Sequence, residues 1–358
     1  MIPIAKPNLG HEEIDAVSEV LASGIIAEGK CVVEFESAFA EYIGTEHAIA
    51  VNSGTAALHA ALLAHGIGKG DEVITTSFSF IATANSIIYT GARPEFVDIE
   101  PETFNINTDI IEDSITKDTK ALMPVHLYGH PAEMKQINEI AEDHDLAIIE
   151  DSCQAHGATY HGKKVGSFGT GAFSFYPTKN MTTGEGGIIT TNDSEIARKA
   201  RMIRAHGSQE RYIHEMIGYN FRMTDIAAAI GLAQLKKVDE FNLKRRKNAQ
   251  LLSEGLKDVS GVTIPTIREG CEHMFHQYTI RAEKRDVLIT KLNENGIGTG
   301  VYYPIPIHMQ PTYIEAEYNY NLPVCEKAAK EVISLPVHPG VSEKDVKHII
   351  KTVIEGGK

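Results

Sequence analysis

AIAVNSGTAALHAALLAHG, residues 48–66, joins two periodicities end to end. Ala48 to Val51 is an unbroken apolar run, the pattern of a strand buried on both faces. From Thr55 apolar residues recur at intervals of three and four, the pattern of a helix. Asn52, Ser53, Gly54 and Thr55 form the join. Free backbone N–H groups, the positive end of the helix dipole and two hydroxyls meet there, and Gly54 allows close approach. Such a turn suits an anion, for example a phosphate monoester. Ser53 serving only as a helix N-cap accounts for the same residues without a ligand. The local pattern leaves both readings open.

The step from strand to helix repeats. EVITT (72–76), EFVDI (95–99), ALMPVHLYG (121–129) and LAIIED (146–151) read as further strands, followed by GAFSFY (171–176) and GGIITTN (186–192). AEMKQINEIAEDH (132–144) reads as a helix among them. This alternation predicts an α/β fold with a mostly parallel sheet flanked by helices. After Asn192 the pattern changes. SEIARKARMIRAHG and the stretch from Thr224 to about Leu256 read as helices, the latter without a proline. From Gly261 the segments shorten, broken by Pro304, Pro306, Pro311, Pro323, Pro336 and Pro339. The expected division is a large domain over 1–250 and a smaller α+β domain over 251–358. A chain of 358 residues is long for a single core in any case.

Composition removes several classes of function. The net charge of −14, with no basic cluster longer than Lys244 to Lys247, argues against nucleic acid or an anionic membrane as the main partner. No apolar run approaches the roughly 20 residues that span a bilayer, and the N-terminus meets prolines and acids too early for a signal peptide. Cys31, Cys153, Cys271 and Cys325 stand far apart, which excludes a zinc site or disulfide framework by spacing and suggests reduced thiols in the cytoplasm.

Two motifs fail on context. GATYHGKK (157–164) fits a phosphate-binding loop except that Lys164 stands where a hydroxyl should hold magnesium, and no helix pattern follows. HLYGH (126–130) spaces two histidines for a helical metal site, but Gly129 and Pro131 make it a turn, expected as a polar loop at the sheet edge. In LAIIEDSCQAHG (146–157), Glu150 and Asp151 lie at a strand's C-terminal end, where α/β folds bind ligands. Adjacent residues of a strand face opposite ways, so at most one of the two points into a site.

VNSGTAALHAAL, SFSFIATANSIIYTGARPEFVDI, PVHLYG, IIEDSCQAHGA, FSFYPTKNMTTGEGGIITT, AHG, GYNFRMTDIAAAIGLAQL and YYPIPIHMQP follow one another in this order. The set resembles the pyridoxal-phosphate sugar aminotransferases, the DegT/DnrJ/EryC1/StrS family of the aspartate-aminotransferase fold (fold type I), over nearly the whole chain. The resemblance implies roles for individual residues. Lys179 would bond covalently to the aldehyde of pyridoxal 5'-phosphate and, once freed, carry the proton between substrate carbon and cofactor carbon. An amine whose pKa is lowered by burial can do both; an arginine could do neither. Asp151 would pair with the pyridine nitrogen. Gln154 would sit beside the ring hydroxyl and Phe80 would stack on the ring. Ser53, Gly54, Thr55 and Ser174 would hold the phosphate, joined by Asn220 from the second subunit of a homodimer.

On the substrate side the resemblance implies Tyr303, His308 and Arg222. The chain departs from relatives at Ile25, Ile26 and Ala27, where an aromatic and hydroxyls are expected, and at His130, where glutamine is common. The implied activity is a cytoplasmic transaminase that moves an amino group, most readily from glutamate, to a nucleotide-linked 3- or 4-ketosugar for surface glycan or amino-sugar synthesis. Lys179 counts against the dehydratases of the family, which carry histidine there. Amination of a cyclitol ketone and a non-catalytic sensor or partner protein are the alternatives, and no metal is expected.

Overall fold

The computed structural model describes residues 1–210 and 212–356. A seven-stranded sheet forms its centre: β1 (His47–Val51), β2 (Glu72–Thr76), β3 (Arg93–Val97), β4 (Thr119–Leu122), β5 (Ala147–Asp151), β6 (Thr170–Ser174) and β7 (Gly187–Thr191). In space the strands run β1-β7-β6-β5-β4-β2-β3. The pairs from β6 through β5, β4 and β2 to β3 are parallel, whereas β7 is antiparallel to both of its neighbours. The sheet is mixed and mostly parallel, as the alternating pattern predicted.

Among the described residues eight α-helices precede residue 257: α1 (His11–Ser23), α2 (Lys30–Ile43), α3 (Gly54–Ala64), α4 (Ala82–Thr90), α5 (Met134–Asp143), α6 (Ser194–Arg204), α7 (Asp225–Leu235) and α8 (Val238–Leu256). Helix α3 is buried almost all round, which explains its Ala-rich and Leu-rich sequence: it lies between the sheet and helices α4 and α6. Helices α1 and α2 were not anticipated. Their short apolar faces, including Val32, Phe35, Phe39 and Ile43, close over one side of the sheet and over α7. At Gly231 of α7 a Cβ would lie 2.8 Å from the Phe35 ring, so only glycine lets the two helices meet.

The stretch from Thr224 to Leu256 is two helices rather than one. Lys237 marks the break, with its ammonium held 2.6 Å from Glu13 and 3.1 Å from Glu12 of α1. Gln234 donates to Glu13 as well, at 2.7 Å. These tertiary contacts fix a corner that propensity alone would have run through. The run ALMPVHLYG also ends sooner than expected, at Leu122, because Tyr128 (φ 58°) and Gly129 (φ 96°) turn left-handed into a one-turn helix. That turn is no polar loop. His126, Leu127, Tyr128 and His130 are all buried, and His126 Nε2 lies 3.1 Å from Glu150. GATYHGKK forms a hairpin, Thr159–Tyr160 against Lys163–Lys164, with Lys164 over the Tyr42 ring.

A second, antiparallel sheet follows: β8 (Val262–Thr263), β9 (Tyr278–Ala282) and β10 (Val332–Leu335), in the order β8-β9-β10. Its core takes Ala249, Leu252 and Leu256 from the end of α8 and Val346, Ile349 and Val353 from the C-terminal helix Glu343–Gly356. Helix α8 therefore runs across residue 250 and serves both cores. All four cysteines are free thiols. Among the described residues no helix is long and apolar enough to cross a membrane and no acid, histidine and cysteine cluster could hold a metal.

Glu150 shows how firmly the sheet edge is built. Its fully buried carboxylate accepts hydrogen bonds from the backbone N–H groups of Gly166, Phe168 and Gly169 at 2.7, 2.8 and 2.9 Å, beside His126. Burial alone would raise its pKa, but His126 and these N–H groups bring the net shift below the ordinary value. A depressed carboxylate stabilises the fold above its unfolded pKa, and that stability is lost as pH falls through the folded value. Glu150→Leu leaves three N–H groups and an imidazole without their acceptor. It should cost about 3–5 kcal/mol in a urea titration and flatten the acid limb of the stability profile.

Candidate active site

The C-terminal ends of the parallel strands open into a cleft of ≈ 590 Å³. Asp151, the last residue of β5, points into it, while Glu150 turns to the opposite face as strand alternation requires. One Asp151 oxygen accepts from the Thr83 hydroxyl at 2.7 Å and the other from the Cys153 N–H at 3.2 Å. Thr83 lies in the first turn of α4 and also contacts Ser79 at 2.7 Å. The carboxylate is thus gripped from two elements and only 5% exposed.

Lys179 enters from the loop between β6 and β7. Its backbone N–H donates to Tyr176 O at 2.9 Å, which closes a turn and directs the side chain to the cleft. Among the described residues its amine has no hydrogen bond and no ion pair. Burial lowers its pKa, opposed by the nearby Cys153 thiol and Asp151 carboxylate. An amine so placed is easier to deprotonate than a surface lysine, which is what a nucleophile or a base requires.

The turn at the start of α3 forms the third wall. Ser53 Oγ accepts from the Ala56 N–H at 3.1 Å, so the capping role is real. Ser53, Gly54, Thr55 and Ser174 nevertheless line the same cleft. At Gly54 a Cβ would lie 2.6 Å from Ser174 Cβ, and at Gly187 one would lie 2.3 Å from Ser53 O. The backbones are pressed together so that the helix N-terminus stays open to the cleft. N-cap and anion site are compatible here, since the cap occupies one N–H and others remain free.

Gln154 accepts from the Tyr128 N–H at 2.9 Å and donates to the Tyr303 hydroxyl at 3.2 Å. Tyr303 lines the cleft, and Phe80 stands at its mouth, 55% exposed, with ring centroids 6.0 Å apart. Burial raises the Tyr303 hydroxyl well out of the physiological range, so it serves as a neutral donor or acceptor.

Three expected residues are not brought to this cleft within one chain. His308 is buried, 2.7 Å from Ser77 Oγ and 3.5 Å from Glu326, where it fastens the loop carrying Tyr303 to the end of β2. The turn at Pro306 folds the ring inward. Arg222 bridges to Val51 through backbone and faces Glu28 at 3.9 Å. Asn220 is exposed, and its carbonyl accepts from Asn52 at 3.3 Å. Conversely, Thr83, Glu185, Tyr302, His276 and Gln277 line the cleft without having been singled out. Thr83 had a visible signal in its spacing of four from Ser79; the others sit in segments without regular pattern.

Comparison with known proteins gives one consistent result. Residues 7–354 match the model of the DegT/DnrJ/EryC1/StrS aminotransferase family. The chain is 46% identical to the pleiotropic regulatory protein of Geobacillus stearothermophilus, covering 97% of this chain and 95% of that protein. It is 44% identical to the GDP-perosamine synthase of Caulobacter vibrioides, covering 98% and 96%. Among solved structures it superposes with a TM-score of 0.95 on a protein from Streptococcus pneumoniae described as a sugar aminotransferase in its PMP form, at 29% identity over 99% of this chain and 97% of that one.

Proposed function

The chain belongs to the DegT/DnrJ/EryC1/StrS aminotransferase family, and from that premise we propose that it aminates a nucleotide-linked 3- or 4-ketosugar. Glutamate is the proposed donor and pyridoxal 5'-phosphate, the aldehyde form of PMP, the cofactor. The observation that carries this reading is the unpartnered Lys179 amine facing the same cleft as Asp151 and the open α3 N-terminus. A carbonyl-reactive amine, a carboxylate and a phosphate cradle are the three contacts that the cofactor's chemistry demands.

When bound, the cofactor supplies the electron sink that lets a proton leave the substrate carbon. The protein's own residues do the rest. Asp151, fixed by Thr83 and Cys153, offers a charge that would keep the pyridine nitrogen protonated. Ser174 Oγ, the Thr55 hydroxyl and the free N–H groups of α3 would hold the phosphate, Phe80 and Tyr303 would bracket the ring, and Lys179 would take and return the proton.

Among the described residues lining the cleft, Lys179 is the sole lysine or arginine. A diphosphate and a donor carboxylate require further positive or N–H donors, which favours a homodimer whose second copy brings Asn220 and Arg222. The relative with a regulatory name raises the alternative of a sensor without turnover. An intact set of Lys179, Asp151 and Ser174 favours the enzyme. Supplying glutamate, pyridoxal phosphate and a panel of 3-keto and 4-keto nucleotide sugars tests the reading. Amination of one keto class is expected; release of 2-oxoglutarate with no sugar accepted would overturn the substrate class.

The cradle makes a separate prediction. Gly54→Ala drives a methyl group against Ser174 and should weaken pyridoxal phosphate retention at least ~10-fold, the equivalent of about 1.4 kcal/mol. An absorbance titration of the cofactor-free protein measures it.

A further inference from the structure

His276 lines the cleft together with Lys179, yet no motif marks it and the chemistry above leaves it idle. It is 6% exposed, and its Nδ1 is buried without a protein partner among the described residues. A buried ring nitrogen left unpaired costs about 1–3 kcal/mol. A position that keeps one beside a cleft is shaped by something other than stability.

The backbone that presents it is strained. Phe275 has φ 43° and Tyr128 φ 58°, both bulky residues in the left-handed region, at roughly 1–3 kcal/mol each. The two strained segments clasp each other. The Met274 N–H donates to Gly129 O at 3.0 Å and the Gln277 N–H to Tyr128 O at 3.3 Å. At Gly129 a Cβ would lie 3.1 Å from the His276 backbone nitrogen, so a side chain there would push the clasp apart.

Arg245 of α8 closes the arrangement from behind. Its Nη1 donates to the carbonyls of Phe275 and His276, both at 3.2 Å. The guanidinium is buried and, among the described residues, pairs with no carboxylate. Burial lowers its pKa to about 10. A buried cation without a counter-ion carries a penalty of several kcal/mol. An unpaired ring nitrogen, a strained backbone and an unmatched cation all converge on one imidazole.

The groups facing His276 come from every side: Lys179 from the loop after β6, Arg245 from α8, His156 from the segment after β5, and His273 on its own segment. Burial first, then these cations and imidazoles, hold its pKa well below the ordinary value, so the ring is neutral. His156, with both nitrogens unpartnered, is the rival candidate, but it packs on the rings of Phe173 and Phe175 and does not line the cleft.

We propose that His276 is a positioning residue for Lys179: held by Arg245, its neutral imidazole accepts a hydrogen from the lysine amine through one water whenever that amine is free. The contact aims the amine's lone pair into the cleft. This inference rests on Lys179 being the reactive lysine, though not on the identity of the sugar.

The test begins with the cofactor-free protein. Reductive methylation with formaldehyde, read at Lys179 by mass spectrometry across pH, reports the fraction of neutral amine. A neutral acceptor favours the ammonium form, so its loss in His276→Leu should move the labelling midpoint down by about 0.5–1 pH unit. His276→Asn, which keeps an acceptor, should restore it. With cofactor and glutamate, His276→Leu should lower kcat about 10–100-fold with KM little changed, and Asn should recover most of that loss. Arg245→Lys, which keeps the charge but shortens the reach to the two carbonyls, should shift the midpoint in the same direction as Leu. An unmoved midpoint in His276→Leu, or an Asn variant no better than Leu, overturns the proposal. Because the labelling needs neither cofactor nor sugar, a moved midpoint beside a failed sugar assay rejects the substrate class and supports the positioning role.

Discussion

Lys179→Ala should abolish transamination, lowering turnover by on the order of 10⁴ or more, while pyridoxal phosphate still binds without a covalent bond. Two losses combine in that figure. On the proposed reading the variant lacks both the nucleophile that would capture the cofactor's aldehyde and the base that would move the proton. Lys179→Arg should fare no better, because a guanidinium stays protonated and neither attacks an aldehyde nor accepts a proton. The residues proposed to hold the cofactor's phosphate and ring, Ser53, Gly54, Thr55, Ser174 and Asp151, are untouched in both variants. Borohydride reduction followed by mass spectrometry should therefore fix the cofactor to the parent chain and not to the alanine variant. Parent-rate turnover by the alanine variant would remove the lysine from its assigned role.

The same substitution should not destabilise the fold. A lysine whose folded pKa is depressed holds fewer protons when folded than when unfolded, and stability then rises with pH between the folded and unfolded values. Below the folded value the buried ammonium is a full cost. Lys179→Ala relieves it, so at neutral pH the variant should unfold at an equal or higher temperature than the parent. A site that is stabilised by deleting its central residue is one shaped for activity at the expense of stability.

How far the sequence revealed this site depends on how local each cause is. Asp151, Ser53 and Gly54 were readable because a strand end and a helix start are local patterns, and both delivered their side chains to the cleft. Lys179 was reached only through the family resemblance, and the structure places it in the same cleft. The corner at Lys237 was not, because Glu12 and Glu13 that fix it lie more than two hundred residues away. His308 carried no deciding signal for a related reason: a histidine after Pro306 looks the same in sequence whether it faces a ligand or Ser77. His276 and Gln277 left no trace at all. Their placement follows from left-handed backbone at Phe275 and Tyr128, bulky residues whose types give no hint of it. The framework was legible where neighbours in the chain decide it, and the cleft's far wall, where His276 and Gln277 stand ahead of β9, was not.

Asp151→Asn separates charge from geometry at the other pole of the site. Asparagine keeps an oxygen for the Thr83 hydroxyl, so the 2.7 Å contact and the start of α4 should persist. What disappears is the negative charge. Losing the partner of a buried cation costs about 3–5 kcal/mol, so kcat should fall on the order of 10²–10⁴-fold. Cofactor affinity should suffer less, because the phosphate cradle at α3 is independent of residue 151. Thr83→Val tests the opposite loss: the charge stays but one of its two supports goes, and a smaller decrease of about 10–100-fold is expected, from the 1.5–3 kcal/mol of a charged hydrogen bond. Asp151 also raises the Lys179 pKa, so the Asn variant should show its lysine labelling midpoint lower than the parent's. The two effects pull apart in one experiment. A variant whose lysine is more readily neutral, yet which is hundreds of times slower, would locate the loss at the ring nitrogen rather than at the base. Parent-like turnover with asparagine at 151 would mean that the carboxylate only caps the end of β5, which its contact with the Cys153 N–H alone could explain.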